Sequence, residues 1–161
     1  MLSEPRETAP ARCKELPIRE RSDVVVAGSQ AARLAHDFGL GSRRAKELAI
    51  VVSELASNIV KHGVRGEIVL TLDASRGQVT VEARDVGPPI RDLQVAMTDG
   101  CDDRGPIDPA LILSRGGLGT GLGAVARLAD HVEYREMGGG KTITARFFLS
   151  AGELLRQSSE I

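Results

Sequence analysis

Aromatic residues are scarce in this chain, which has no Trp, one Tyr and three Phe among 161 residues. Proteins that hold single-stranded nucleic acid stack its bases on aromatic side chains. The formal net charge of −1 also gives no basic surface for a phosphate backbone. We therefore expect no nucleic-acid partner, and we expect a core built from Val, Leu, Ile and Ala.

Cysteine and long apolar runs are scarce as well. The two cysteines, Cys13 and Cys101, lack the spacing of metal ligands, and we expect reduced thiols rather than a structural disulfide. No apolar run approaches the roughly 18 residues that a membrane helix needs. The first residues mix charges with prolines and lack the apolar region of a signal peptide. These absences predict a cytoplasmic protein with no membrane partner.

The length fits a single domain. We predict a disordered polar tail over residues 1–14, a domain over residues 15–149 and a polar C-terminal tail over residues 150–161. The apolar periodicity predicts an edge strand at 16–19, strands at 67–72 and 78–83 joined by a tight turn, and strands at 132–135 and 142–149. It also predicts a helix at 23–38 capped by Ser22, a helix at 43–62 capped by Ser42, and helices at 109–113 and 122–130. This order indicates an α+β sandwich with the helices on one face of the sheet.

Polar residues and glycines interrupt this pattern at a few places. In residues 53–63, Glu54 and Asn58 are four apart, so a helix would place them on one face, one turn apart. Asp85 stands at the end of an alternating apolar run, where a strand would stop. A glycine-rich run over residues 116–123 then opens a helix-like segment. A helical acid and amide, a strand-end acid and a glycine cluster together predict a nucleotide site with a metal.

The order of these motifs resembles the N, G1 and G2 boxes of the GHKL superfamily. Within it, the short chain is similar to the RsbT/RsbW/SpoIIAB group of bacterial serine kinases, to RsbT above all, and the likeness extends from about Glu15 to Leu149. These kinases control sigma factors through STAS-domain proteins. The resemblance implies a two-layer α/β sandwich of the GHKL (Bergerat) ATP-binding type, with a mixed, mostly antiparallel sheet.

The resemblance also implies roles for individual residues. Glu54 would be the catalytic base toward a serine hydroxyl, and Asn58 would offer its side-chain oxygen to Mg²⁺. Asp85 would accept a hydrogen bond from the adenine amino group, which a carboxylate can do because it only accepts. Gly87 matches the first glycine of the G1 box, whereas Pro89 stands where the family has the second and removes a backbone N–H.

The remaining expected contacts to ATP come from later in the chain. Glycines at the start of a helix let the backbone approach phosphate groups, and a late threonine lies beside adenine in the family. The matching residues are Gly117, Gly119, Gly121, Gly123 and Thr142. Residues 138–142 also imitate the end of a Walker A loop, but position 135 is Arg135 rather than glycine and a strand pattern follows, so we do not expect that loop.

The implied function is an ATP- and Mg²⁺-dependent protein serine/threonine kinase that phosphorylates a STAS-domain antagonist and acts by partner switching. A sigma factor or a phosphatase would be a further partner. The alternative is a nucleotide-gated binding module with little kinase turnover; Glu54 favours the kinase and Pro89 favours the binder. Residues 101–113 look like an insertion relative to RsbT, and a docking surface, a regulatory latch and a tolerated loop all remain open for them.

Overall fold

A computed structural model describes residues 10–97, 101–102, 105–106 and 121–159. The strands are β1 Arg12–Ile18, β2 Gly66–Asp73, β3 Gln78–Asp85, β4 Cys101–Asp102, β5 Gly105–Pro106, β6 His131–Met137 and β7 Gly140–Phe148. The helices are α1 Arg21–Asp37, α2 Ser42–His62, α3 Leu93–Ala96, α4 Leu122–Leu128 and α5 Ala151–Ser159. The five long strands form one antiparallel sheet in the order β1-β2-β3-β7-β6, and β4 pairs with β5 apart from it.

The helices cover one face of the sheet, as predicted. Helix α2 packs against α1, α4 and four of the five strands. Its apolar stripe is almost completely buried and consists of Leu48, Val51, Val52, Leu55 and Ile59. Successive strand side chains alternate between the two faces, and the buried apolar residues of β3 and β7, among them Val81 and Ile143, belong to one hydrophobic core with this stripe. The α+β sandwich expected from the sequence is therefore confirmed.

Neither of the two long helices is capped by the serine predicted for it. Helix α1 begins after Glu20, whose side chain forms a capping box with Asp23. Helix α2 begins after Gly41, so the predicted cap Ser42 is its first helical residue. Gly63 does end α2, and its N–H donates to the carbonyl of Ile59 at 2.7 Å.

Both predicted tails contain regular structure. Strand β1 begins at Arg12, inside the expected N-terminal tail, and it is an edge strand that buries Leu16 and Ile18. The expected polar C-terminal tail forms α5. Its Glu153 is 5% exposed and accepts a hydrogen bond of 2.9 Å from the Gly41 N–H, which holds α5 against the start of α2.

Several sequence predictions lie outside the described residues. They are the helix at 109–113, the glycines from 116 to 120 and most of the insertion at 101–113, of which only β4 and β5 are described. Within the described ranges, no helix has both the length and the apolar composition to cross a bilayer.

Candidate functional site

Asp85 lies at the end of β3, on the helix-covered face of the sheet, and its side chain is 3% exposed. Four glycines surround Asp85. The backbone of each glycine lies so close to Asp85 that the Cβ of a side chain there would collide with atoms of Asp85. Such a Cβ would lie 2.7 Å from the Asp85 carbonyl oxygen at Gly140, 2.9 Å from Oδ1 at Gly87, 3.0 Å from Cβ at Gly66 and 3.2 Å from Cβ at Gly63. The ends of α2, β2, β3 and β7 therefore converge on one carboxylate.

The carboxylate of Asp85 forms a buried ion pair with Lys141. The two residues face each other in the β3–β7 register, and Lys141 Nζ lies 2.7 Å from Asp85 Oδ1, with only 2% of the lysine side chain exposed. Nζ also donates to the carbonyl of Pro88 at 2.8 Å. The Gly87 N–H donates to the same Oδ1 at 2.7 Å. The lysine thus ties the strand-end acid to the loop that follows it.

Thr142 does not lie beside Asp85. It pairs with Arg84 across β3 and with Arg135 across β6, and since side chains alternate along a strand it faces the side of the sheet opposite to Asp85. The resemblance placed a threonine at this edge, but Lys141 is the residue there. Because side chains alternate along a strand, the buried position of Ile143 predicts that Lys141, two residues earlier, lies on the same face.

Tyr134, the single tyrosine of the chain, anchors the loop after Asp85. Its hydroxyl accepts a hydrogen bond of 3.0 Å from the Ile90 N–H and donates one of 2.9 Å to Glu136. Burial raises the pKa of the Tyr134 phenol, and the nearby charges of Glu136 and Asp85 raise it further. The sequence alone does not indicate this role, since a lone tyrosine in a strand belongs to no motif.

Glu54 and Asn58 lie on α2 as predicted, one turn apart, with Glu54 buried and Asn58 half-buried. The C-terminal end of this helix reaches the Asp85 loop. A Cβ at Gly87 would lie 2.6 Å from the carbonyl oxygen of His62, and the Val86 N–H donates to the Arg65 carbonyl at 3.1 Å. One helix therefore joins the acid–amide pair to the surroundings of Asp85.

The glycine-rich run enters the described part of the chain at its end. Gly121 precedes α4 and has a φ of 56°, a left-handed conformation that favours glycine. Gly123 is buried within α4, which packs against α2. Gly117 and Gly119 lie outside the described residues, so their predicted contacts with phosphate groups stay predictions.

Two surface clefts of the described region lie at α1. They run between β1 and α1 and along α1, with Leu16, Val26 and Gln30 among their lining residues, and none of the predicted site residues lines them. The candidate site consists of Asp85 and its glycines, with Glu54 and Asn58 on the adjoining helix.

The chain is similar to known proteins over most of its length. A family model described as a histidine kinase-like ATPase domain matches residues 16–147. The chain is 31% identical over 119 residues to the serine/threonine-protein kinase RsbT of Bacillus subtilis (strain 168). The aligned region covers 73% of this chain and 81% of RsbT. A chain in the crystal structure of the SiaB–SiaC complex from Pseudomonas aeruginosa shares the fold, with a TM-score of 0.56, 17% identity, and coverage of 84% of this chain and 88% of that one.

Proposed function

The chain belongs to the histidine kinase-like ATPase family, as an RsbT-like serine/threonine kinase, and on that premise we propose that it transfers phosphate from Mg·ATP to a STAS-domain protein. The observation that carries the proposal is the carboxylate of Asp85, buried at the end of β3 among close-packed glycines. A buried carboxylate is costly unless it is paired and hydrogen-bonded, and an adenine amino group supplies a matching donor.

The base of ATP would lie against Asp85 and Gly87. Both Asp85 hydrogen bonds in the described region go to Oδ1, from Gly87 and Lys141. No residue of the described ranges donates to Oδ2, which leaves that oxygen to accept from the adenine amino group. The phosphate groups would extend toward α4, where Gly121 and Gly123 allow close backbone approach. Contacts of the phosphates with Gly117 and Gly119 are part of the same proposal.

Glu54 and Asn58 would act at the transferred phosphate. The amide oxygen of Asn58 is a hard oxygen donor that suits Mg²⁺, which keeps several waters and relies on substrate phosphates for other ligands. Bound there, the ion would neutralise charge on the phosphates. Asn58 would hold the ion, and Glu54 would accept the proton of the attacking serine hydroxyl.

The proposed partner rests on the relatives. RsbT is named a serine/threonine-protein kinase, and the similar solved chain lies in a two-protein complex. We infer that this chain also acts on a protein, that this protein has a STAS domain, and that phosphorylation switches the kinase to another partner such as a sigma factor or a phosphatase.

A nucleotide-gated binding module is the second candidate. It is favoured by the ion pair between Lys141 and Asp85, which engages part of the base-binding acid, and by Pro89, which offers no N–H to the base-side loop. In this role the protein with bound nucleotide would hold its partner protein without transferring phosphate to it at a useful rate.

Phosphotransfer to a purified STAS-domain protein from the same genome, measured with labelled ATP, separates the two functions. Glu54→Gln keeps the size of the side chain but removes its basicity, so transfer should fall about 10²–10⁴-fold while ADP affinity stays the same. Glu82→Gln is the matched control, because Glu82 pairs with Arg84 on the opposite face of the sheet. Mg·ATP binding without any transfer by the wild type would support the binding module instead.

A further inference from the structure

The buried pair of Asp85 and Lys141 has unused hydrogen-bonding capacity. An ammonium group has three N–H donors, and Lys141 uses one on Asp85 and one on the Pro88 carbonyl. Asp85 receives both of its hydrogen bonds on Oδ1. Counting only the described residues, one N–H of Lys141 and the oxygen Oδ2 of Asp85 lack partners. A donor and an acceptor therefore lie side by side in a buried position.

An ion pair such as that of Asp85 and Lys141 is unusual among buried apolar residues of a sheet. The rows that contain it continue through Ala83 and Val81 on β3 and through Ile143 and Ala145 on β7, all of them buried. Removing two charges from water is costly, and apolar residues can often replace a buried pair without loss of stability. Packing alone therefore does not account for a lysine at this position.

The unused donor and acceptor match one edge of adenine. That edge carries an amino group, which donates, directly beside the ring nitrogen N1, which accepts. We propose that Lys141 is a specificity-determining residue that donates a hydrogen bond to N1 while Oδ2 of Asp85 accepts from the amino group. This inference rests on the proposed function, because it assumes that the base of the nucleotide binds at Asp85.

The proposal predicts that the protein detects a single atom of the base. In 1-deaza-ADP a C–H replaces N1, and hydrogen bonds to charged groups are strong enough that wild-type affinity should fall about ten- to hundredfold relative to ADP. In 7-deaza-ADP the change lies away from this edge. The ratio of ADP to 7-deaza-ADP affinity should therefore not depend on the residue at position 141.

The test is a calorimetric titration of ADP, 1-deaza-ADP and 7-deaza-ADP into the wild type and Lys141→Met. The variant should bind ADP more weakly and lose the discrimination, with an ADP to 1-deaza-ADP ratio of about two or less. If the variant does not fold, Lys141→Gln keeps an N–H for Asp85 without the charge, and its ratio should lie clearly below that of the wild type.

Three results would overturn the inference. The wild type could bind ADP and 1-deaza-ADP equally, or the discrimination could survive unchanged in the variant that folds. The third is tighter ADP binding by Lys141→Met, which would mean that the lysine blocks the base. A wild type that binds none of the three nucleotides would instead refute the proposed function itself.

Discussion

Gly87→Ala tests how closely the backbone is packed around the base-binding acid. The new Cβ would lie 2.6 Å from the His62 carbonyl oxygen, 2.7 Å from Gly63 Cα and 2.9 Å from Asp85 Oδ1. Real Cβ atoms essentially never approach other heavy atoms within 3.0 Å, so all three contacts are repulsive. The first two neighbours are backbone atoms at the end of α2, which cannot rotate away, and the loop or the helix end must shift.

The size of the effect follows from this overlap. Adding a methyl group to a well-packed site costs about 1–3 kcal/mol. For a chain of this length, 1 kcal/mol lowers the melting temperature by about 2–4 °C, which predicts a loss of about 2–12 °C. The same shift moves the Gly87 N–H from Asp85 Oδ1, and we expect ADP affinity to fall at least about tenfold, the loss of roughly one charged hydrogen bond.

Thermal unfolding and ADP titration of the variant measure both effects. Gly152→Ala is the control, because a Cβ at Gly152, in α5, meets no atom within 4 Å. That change should leave ADP affinity alone and stabilise the helix by up to about 1 kcal/mol. A Gly87→Ala protein with wild-type melting temperature and wild-type ADP affinity would refute the packing described around Asp85.

Further substitutions test the surrounding elements. Tyr134→Phe removes the acceptor for the Ile90 N–H and should cost about 1 kcal/mol of unfolding free energy; an unchanged value would exclude an anchoring role. Asn58→Ala should weaken ADP binding in Mg²⁺ but not in EDTA, and equal losses in both would exclude a metal role. Burial raises the pKa of Glu153, but backbone N–H groups of Gly41 and Ser150 outweigh it and hold that pKa below the ordinary 4.5. A lowered pKa stabilises the fold above pH 4.5 and the gain disappears as the pH falls through the folded-state pKa, so the stability advantage over Glu153→Gln should vanish in acid; an advantage independent of pH would contradict this.

The parts of the fold that depend on local pattern could be predicted from the sequence. The apolar stripe of α2 has a clear helical period, and the strands β2 and β3 alternate on either side of a tight turn. The position of Asp85 at a strand end follows from the same alternation. The position of a residue is therefore predictable where the pattern of its neighbours in sequence determines its secondary structure and the face on which it lies.

The parts that depend on tertiary contacts could not be predicted. Helix α5 is polar, and its position depends on Glu153 capping the Gly41 N–H, 112 residues away in sequence. The burial of Lys141 is not predictable from the sequence, because a charged residue beside glycines is typical of a loop. Its burial follows from its pairing with Asp85 across β3 and β7. Thr142 matches the family motif, but it lies one residue beyond Lys141, and a shift of one residue along a strand reverses the face on which a side chain lies.

The central claim is that Asp85 binds the amino group of adenine, and one comparison of affinities tests it most directly. Purine riboside diphosphate has a hydrogen atom in place of that amino group and keeps the ring nitrogens. If Oδ2 of Asp85 accepts from the amino group, the protein should bind ADP about ten- to hundredfold more tightly than this analogue, as expected for a hydrogen bond to a charged acceptor. Equal affinity for the two nucleotides would contradict the account.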